Sequence, residues 1–429
     1  MVQQHALQGL PGIPTLFRAA TPRRPAIFPK PLRVLAIETS ADDTCVALFK
    51  CSAGTRPGRL AYSERVSCPN HELRGIHPVE AVKSHTKHLP ALVHKAMQSL
   101  VAATHHAGYI PISTEEVISS KPDLIAVTRG PGMGGCLSVG VNTASNAVAW
   151  SVPVIGVHHM QAHALTPLME RELYEDPSAR SPEKSYPFLT LLVSGKHTML
   201  VYTKSALSHR ILASVEGIAL GDVLDKFSRE VLPRGFVPKG ATTVVYPKLM
   251  ERFVQMLDPT ANYQAPPTRH QELLSYKSWY GWEIRPPLAE SKELVYNFTS
   301  LHGNTLQLLS QKPDMSNNER RELALHTMRL AFEHVISRVV LALQNDSELV
   351  AQRPKTLVLS GGVASNMFLR KVAQSMLAAR GFEDIKLIAP SQQFCTDNAA
   401  MIAYAGAEMF RDGWISSHEF TPMNTWSIE

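Results

Sequence analysis

Two stretches far apart in this chain share one plan. The β-rich runs Arg33-Val34-Leu35-Ala36-Ile37-Glu38 and Cys45-Val46-Ala47-Leu48-Phe49 flank the polar tetrapeptide Ala41-Asp42-Asp43-Thr44. In the second half, Phe188-Leu189-Thr190-Leu191-Leu192-Val193 and Met199-Leu200-Val201-Tyr202 flank Ser194-Gly195-Lys196-His197-Thr198. β-branched and aromatic runs broken by turn formers predict a hairpin with polar groups at its tip. One such hairpin in each half predicts a duplicated lobe with a cleft between the copies. A tip of hydroxyls, carboxylates and backbone N–H groups can hold a metal-bound phosphate; a plain β-turn has the same composition.

The segments around the hairpins complete an α/β pattern. Residues 57–66 read as a third strand, and residues 85–104 as an amphipathic helix with Leu89, Leu92, Val93, Met97, Leu100 and Val101 on one face. Its His85, His88 and His94 read as solvated or capping. Asp123–Thr128 is a buried-type strand that runs into Arg129-Gly130-Pro131-Gly132-Met133-Gly134-Gly135 and a helix over about 136–150. Such a loop offers N–H groups to an anion at a helix start; the glycines equally suit close helix–strand packing. The G-x-x-x-x-G-K-[ST] pattern is missing, which argues against a Walker-type NTPase. In the second half, Gly221–Phe227 opens a helix, and residues 258–294 form an irregular insertion. Its Trp279, Tyr280 and Trp282 could stack on bases or pack within the loop. Residues 318–345 form a long helix. The strand Thr356–Ser360 leads into Gly361-Gly362 and a helix opening at Asn366, where glycines let the backbone approach a flat ligand. Thr396 or Asp397 can serve as the N-cap of a final helix.

Between the halves lies Val157-His158-His159-Met160-Gln161-Ala162-His163. With a helix starting at or just after His158, His159 and His163 stand at i and i+4 on one face. Two imidazoles so placed are half of a metal site. The chain has 18 His, so one chance pair at this spacing is expected. A zinc peptidase needs Glu directly after the first His; Met160 stands there instead.

Composition bounds the alternatives. At 429 residues the chain has room for two lobes, and no apolar run approaches a membrane span. Five scattered Cys suggest reduced thiols. The formal charge of +6 is concentrated at the start: residues 1–37 hold five cations, six Pro and no acid. The remainder carries 38 basic against 37 acidic residues, so the charge is no sign of nucleic-acid binding by the body. The Arg-bearing, acid-free start reads as a mitochondrial presequence, against a disordered Pro-rich tail.

Taken together, E-T-S-x-D-D-T at 38–44, G-P-G-M at 130–133, H-H-M-x-x-H at 158–163, V-S-G-x-H-T at 193–198, G-D-x-x-D-K at 221–226, S-G-G-V-A-S-N at 360–366 and C-T-D-N-A-A-M at 395–401 resemble one family. It is the universal tRNA threonylcarbamoyladenosine transferases, TsaD and its relatives, and the likeness is strongest to the mitochondrial branch. The resemblance implies the α/β actin-like, sugar-kinase and Hsp70-type ATPase fold, with two duplicated lobes around a nucleotide cleft. Its first lobe would span 33–152 with 396–429 packing back on it, its second 153–395, and residues 1–32 would be presequence or tail. The implied reaction moves threonylcarbamoyl from threonylcarbamoyl-AMP to N6 of adenosine 37, in tRNAs that read codons beginning with A. The resemblance also implies one divalent ion, Zn or Fe, on His159, His163 and Asp397. It places substrate contacts on Leu192, Val193, Ser194, Gly195, Lys196, Asp225, Gly240, Gly361, Gly362 and Asn366, and makes Asp42 and His197 the candidates for moving a proton. A homodimer is implied as well. Departures from the family pattern are Ala41 for Cys, Lys196 for Gly, and altered runs at 239–245 and 298–303; none is a metal ligand. The competing readings are an actin-like-fold kinase or ATPase and an inactive subunit of a tRNA-modifying complex.

Overall fold

The strand Arg33–Glu38 (β2) is the centre of the first sheet, because both kinds of pairing meet on it. It pairs antiparallel with Asp43–Lys50 (β3) and parallel with Leu124–Gly130 (β5). The computed structural model describes residues 16–18, 31–51, 57–68, 77–102, 121–175, 186–238, 244–255, 263–417 and 419–429. The presequence reading of residues 1–32 therefore lies largely outside the described residues. Leu16–Arg18 (β1) is a strand paired antiparallel with Trp414–Ser416.

In chain order the first half adds Arg59–Ser67 (β4), Pro78–Ala102 (α1), Gly134–Ser145 (α2), Val154–His158 (β6) and His159–Tyr174 (α3). The second half contains Phe188–Val193 (β7), Thr198–Thr203 (β8), His209–Val215 (β9), Leu220–Val231 (α4), Tyr246–Gln255 (α5), Tyr276–Lys277 (β10), Glu283–Ile284 (β11), Val295–Tyr296 (β12), Thr299–Gln311 (α6) and Asn317–Asn345 (α7). It continues with Thr356–Ser360 (β13), Met367–Ala379 (α8), Lys386–Ile388 (β14), Ala399–Arg411 (α9) and Trp414–Ser416 (β15).

The chain divides into two compact units. One holds the residues up to Tyr186, Lys204–His209 and Thr396–Glu429; the other holds Pro187–Thr203 and Arg210–Cys395. The boundary falls after Tyr186 and not at residue 152. The reason is β6, which is hydrogen-bonded in parallel to β5 and keeps α3 with the first sheet.

The first unit has a sheet in the order β4-β3-β2-β5-β6. Side chains alternate across it. Leu35, Ile37 and Val127 meet Leu89, Leu92 and Ala96 of α1 and Val141 and Ala144 of α2. On a neighbouring position of β5, Ala126 lies against Gly406 of α9, where a β-carbon would collide with it. The α1 helix begins at Pro78, earlier than the apolar periodicity predicts.

The second unit repeats the opening. Here β7 pairs antiparallel with β8 and parallel with β13, within a sheet of order β12-β9-β8-β7-β13-β14. Its core is centred on α7, which buries Leu330, Phe332, Val335, Ile336, Val339 and Val340. A helix apolar on most sides belongs inside. Within the insertion, Trp282 is buried and donates Nε1–H to Glu319 Oε1 at 3.2 Å, while Trp279 is 98% exposed.

The glycine-rich loop after β5 is covered by the segment 420–429. Met423 N donates to Arg129 O at 2.8 Å, Gly132 N donates to Asn424 O at 3.2 Å, and Arg129 Nε donates to Thr421 O at 2.8 Å. Side chains at Gly130 and Gly134 would run into the Met423 carbonyl and the Asn424 amide. The packing at these glycines is against the segment 420–429, and not the helix–strand packing that the sequence suggests. Gly130→Ala is expected to cost about 1–3 kcal/mol, the usual penalty for overpacking. Limited proteolysis should then cut within 420–429 before any other part of the fold opens.

Candidate metal centre and substrate residues

The helix α3 starts at its ligand because His158 ends the strand β6 and caps the helix. His158 Nδ1 accepts from Met160 N at 3.1 Å and Gln161 N at 3.4 Å, and its Nε2 donates to Trp426 O at 3.0 Å. His159 and His163 follow one turn apart, with ring centroids 4.7 Å apart and planes at 90°. Both are buried. The third group comes from the far side of the sequence. Asp397 Oδ1 lies 3.1 Å from His163 Nε2 and 3.4 Å from His159 Nε2. All three ligand atoms lie within 4.8 Å of one another.

That spacing fits a metal ion. Ligands about 2.0–2.1 Å from a tetrahedral ion stand about 3.3 Å from each other. Asp397 is free to face the imidazoles because Asn398 takes the capping role: its Oδ1 accepts from Met401 N at 3.0 Å at the start of α9. The N-cap reading of Thr396 or Asp397 is corrected accordingly.

A fourth buried group adjoins these three. Glu38, the last residue of β2, is fully buried and accepts Ser40 N at 2.6 Å, the Thr128 hydroxyl, and His159 Nδ1 at 3.1 Å. In the sequence it stands out as an acid closing an apolar strand, at the head of the E-T-S-x-D-D-T run. Burial works against every charge here, but the pairing overcomes it. His159 is pushed up to about 10 by Glu38 and Asp397 despite its burial. Asp397 is held well below the usual carboxylate range by His159 and His163, and Glu38 is lowered chiefly by His159. The site is built for positive charge.

Around it, Asp43 is pushed up to about 6 by burial and by Asp397, tempered by the Ser67 hydroxyl and Arg65. His85 is buried, not solvated. Its Nδ1 meets Thr44 Oγ1 at 2.8 Å and its Nε2 meets the Ala41 carbonyl at 3.0 Å, so it braces the hairpin tip that carries Asp42.

In the second unit the sequence-predicted substrate residues split into two groups. Leu192 and Val193 are buried strand residues, and Val193 belongs to the core of this unit. Ser194, Gly195 and Lys196 form the surface turn, closed by Ser194 N donating to His197 O at 2.8 Å and His197 N donating to Ser194 Oγ at 3.1 Å. The start of α4 seats on this turn, with Gly221 N donating to Ser194 O at 3.1 Å. Gly361, at φ +95°, passes so close to the Val193 carbonyl that a β-carbon would clash. Asn366 caps α8, and Asp225 Oδ2 accepts Arg229 Nε at 2.8 Å. Gly362 opens a short 3-10 turn that leads into that cap. Gly240 lies outside the described residues.

An α/β unit with a hairpin-led sheet and a His–His–Asp cluster, together with a second unit that repeats its plan, marks a protein of the actin-like kind. A model of the family described as TsaD: tRNA N6-adenosine threonylcarbamoyltransferase matches residues 63–404. The chain is 33% identical over 413 residues to the mitochondrial tRNA N6-adenosine threonylcarbamoyltransferase of Schizosaccharomyces pombe, covering 92% of this chain and 87% of that protein. It is 29% identical over 407 residues to the tRNA N6-adenosine threonylcarbamoyltransferase of Bartonella henselae, covering 93% and 96%. To that of Herminiimonas arsenicoxydans it is 30% identical over 377 residues, covering 87% and 91%. The chain belongs to the tRNA N6-adenosine threonylcarbamoyltransferase family. Its fold is the actin-like, sugar-kinase and Hsp70-type fold, and it is a transferase that forms N6-threonylcarbamoyladenosine in tRNA.

A metal ion on these ligands must displace the proton that His159 holds up to about 10. Affinity should therefore rise about tenfold per pH unit between pH 6 and 9, with about one proton released per ion. Calorimetric titration in buffers of different ionisation enthalpy measures both. In the metal-free protein the sign reverses. The raised His159 stabilises the fold fully below its ordinary 6.5, and that contribution fades as pH climbs toward about 10.

Proposed function

We propose that this chain transfers threonylcarbamoyl from threonylcarbamoyl-AMP to N6 of adenosine 37, in tRNAs reading codons that begin with A, with AMP as the second product. The observation that carries the metal-assisted reading is the convergence of His159, His163 and Asp397 around one point. The donor is a mixed carbamic–phosphoric anhydride, so AMP leaves readily. What remains for the protein is orientation, charge stabilisation and a path for the N6 proton. One divalent ion per subunit, Zn or Fe, would supply Lewis-acid polarisation of the donor carbonyl.

The chain's own residues do the rest. The turn Ser194–Lys196 offers backbone N–H groups, a hydroxyl and an ammonium to the donor; Leu192 and Val193 contribute only through their main chain. Gly361 and Gly362 present bare backbone to the adenosine. Asp225, Asn366 and Gly240 are the further substrate contacts. Asp42 and His197 hydrogen-bond the threonylcarbamoyl part or take the N6 proton. The Schizosaccharomyces pombe relative supports a mitochondrial setting, and residues 1–37 with their five cations and no acid are suited to direct it. The working form is a homodimer.

His159→Ala should abolish transfer and metal content together. The assay incubates purified protein with threonylcarbamoyl-AMP and a tRNA carrying the target adenosine, followed by nucleoside analysis. Unmodified adenosine with the wild type, beside a working control enzyme, would sink the reading. ATP turnover without tRNA modification would favour the kinase or ATPase instead.

A further inference from the structure

We propose that Glu38 is the positioning residue of the metal centre: its carboxylate holds the Nδ1–H of His159 and so turns Nε2 toward the metal. This rests on the reading of His159, His163 and Asp397 as ligands. An ionised carboxylate can only accept, so the Nδ1 that meets Glu38 Oε2 at 3.1 Å must carry the proton. A neutral imidazole has one donor and one acceptor nitrogen. Once His159 is neutral, as a metal ligand must be, Nδ1 keeps the proton and Nε2 offers the lone pair; Nε2 is the atom on the side of Asp397, at 3.4 Å. Glu38 fixes which nitrogen binds.

Glu38 is itself fixed. It sits at the end of the central strand with no exposure, and its two oxygens are tied to Ser40 N at 2.6 Å and to the hydroxyl of Thr128 on the neighbouring strand. A carboxylate so held orients the ring and adds to the basicity of the ligand nitrogen, and such partners are commonly worth 10–100-fold in metal affinity.

Glu38→Gln tests this, because the amide has nearly the same shape but presents an NH2 to a site arranged for an acceptor. Competition between the protein and a chelator for Zn(II), and the visible spectrum of the Co(II) form, report on the ligands without any need for turnover. The expected result is about 10–100-fold weaker Zn(II) binding and a changed Co(II) spectrum. Glu38→Asp, which keeps the charge, should recover part of the affinity. Thr128→Val, which frees one oxygen of Glu38, serves if Glu38→Gln does not fold, and should weaken Zn(II) several-fold. Affinity within twofold of wild type in folded Glu38→Gln, or in Thr128→Val where only that variant folds, overturns the proposal. Wild-type protein that binds neither ion overturns the ligand reading, and this inference with it. Wild type that binds both, beside a Glu38→Gln that loses only thermal stability, overturns this inference alone.

Discussion

A carboxylate with no exposure to water is the constraint that orders the first unit. Glu38 costs several kcal/mol to bury as an ion unless it is paired, and its partner is an imidazole from α3, the helix that follows β6, two strands across the sheet. That imidazole in turn meets Asp397, another carboxylate pulled far from its ordinary range. Each charge is tolerable only because the others are present. The strands β2, β5 and β6 and the helices α3 and α9 must therefore reach one arrangement together. Hydrogen bonds to Ser40 and Thr128 remove the remaining freedom.

The same logic of mutual occupancy governs the glycine-rich loop. Its glycines look like an anion cradle in isolation, and strand-loop-helix geometry supports that expectation. Instead, the Asn424 carbonyl takes the Gly132 N–H, the Thr421 carbonyl takes the Arg129 guanidinium, and the Trp426 carbonyl accepts from the histidine that caps α3. The indole also lies 4.8 Å from the His158 ring and has the Arg129 guanidinium 5.5 Å from its centroid. The loop thus serves α3 indirectly, by docking the segment that steadies its cap.

The parts legible in the sequence are those whose information is local. Two hairpins, a strand running into a glycine loop, and two His at i,i+4 all declare themselves within a dozen residues. His85 does not, because its burial depends on the hairpin tip 41–44 lying across α1. Glu38 escaped as a site residue because the partners that justify its burial, Thr128 and His159, are 90 and 121 residues away. Asp397 is ambiguous locally, since a capping acid and a ligand look alike until Asn398 is seen to take the cap. Trp279 and Trp282 show the same limit: three positions apart in an irregular loop, one is bare and one is buried against α7, and no periodicity separates them.

Asp397 lies 234 residues after His163, with the whole second unit encoded between them. At typical translation rates that interval takes roughly ten seconds to most of a minute. Throughout it, the nascent first unit already owns Glu38 and both imidazoles but lacks the aspartate. Three ligands cannot close around an ion before that aspartate is made. An ion taken up by the full set would therefore meet a nearly complete polypeptide and not the ribosome-bound half.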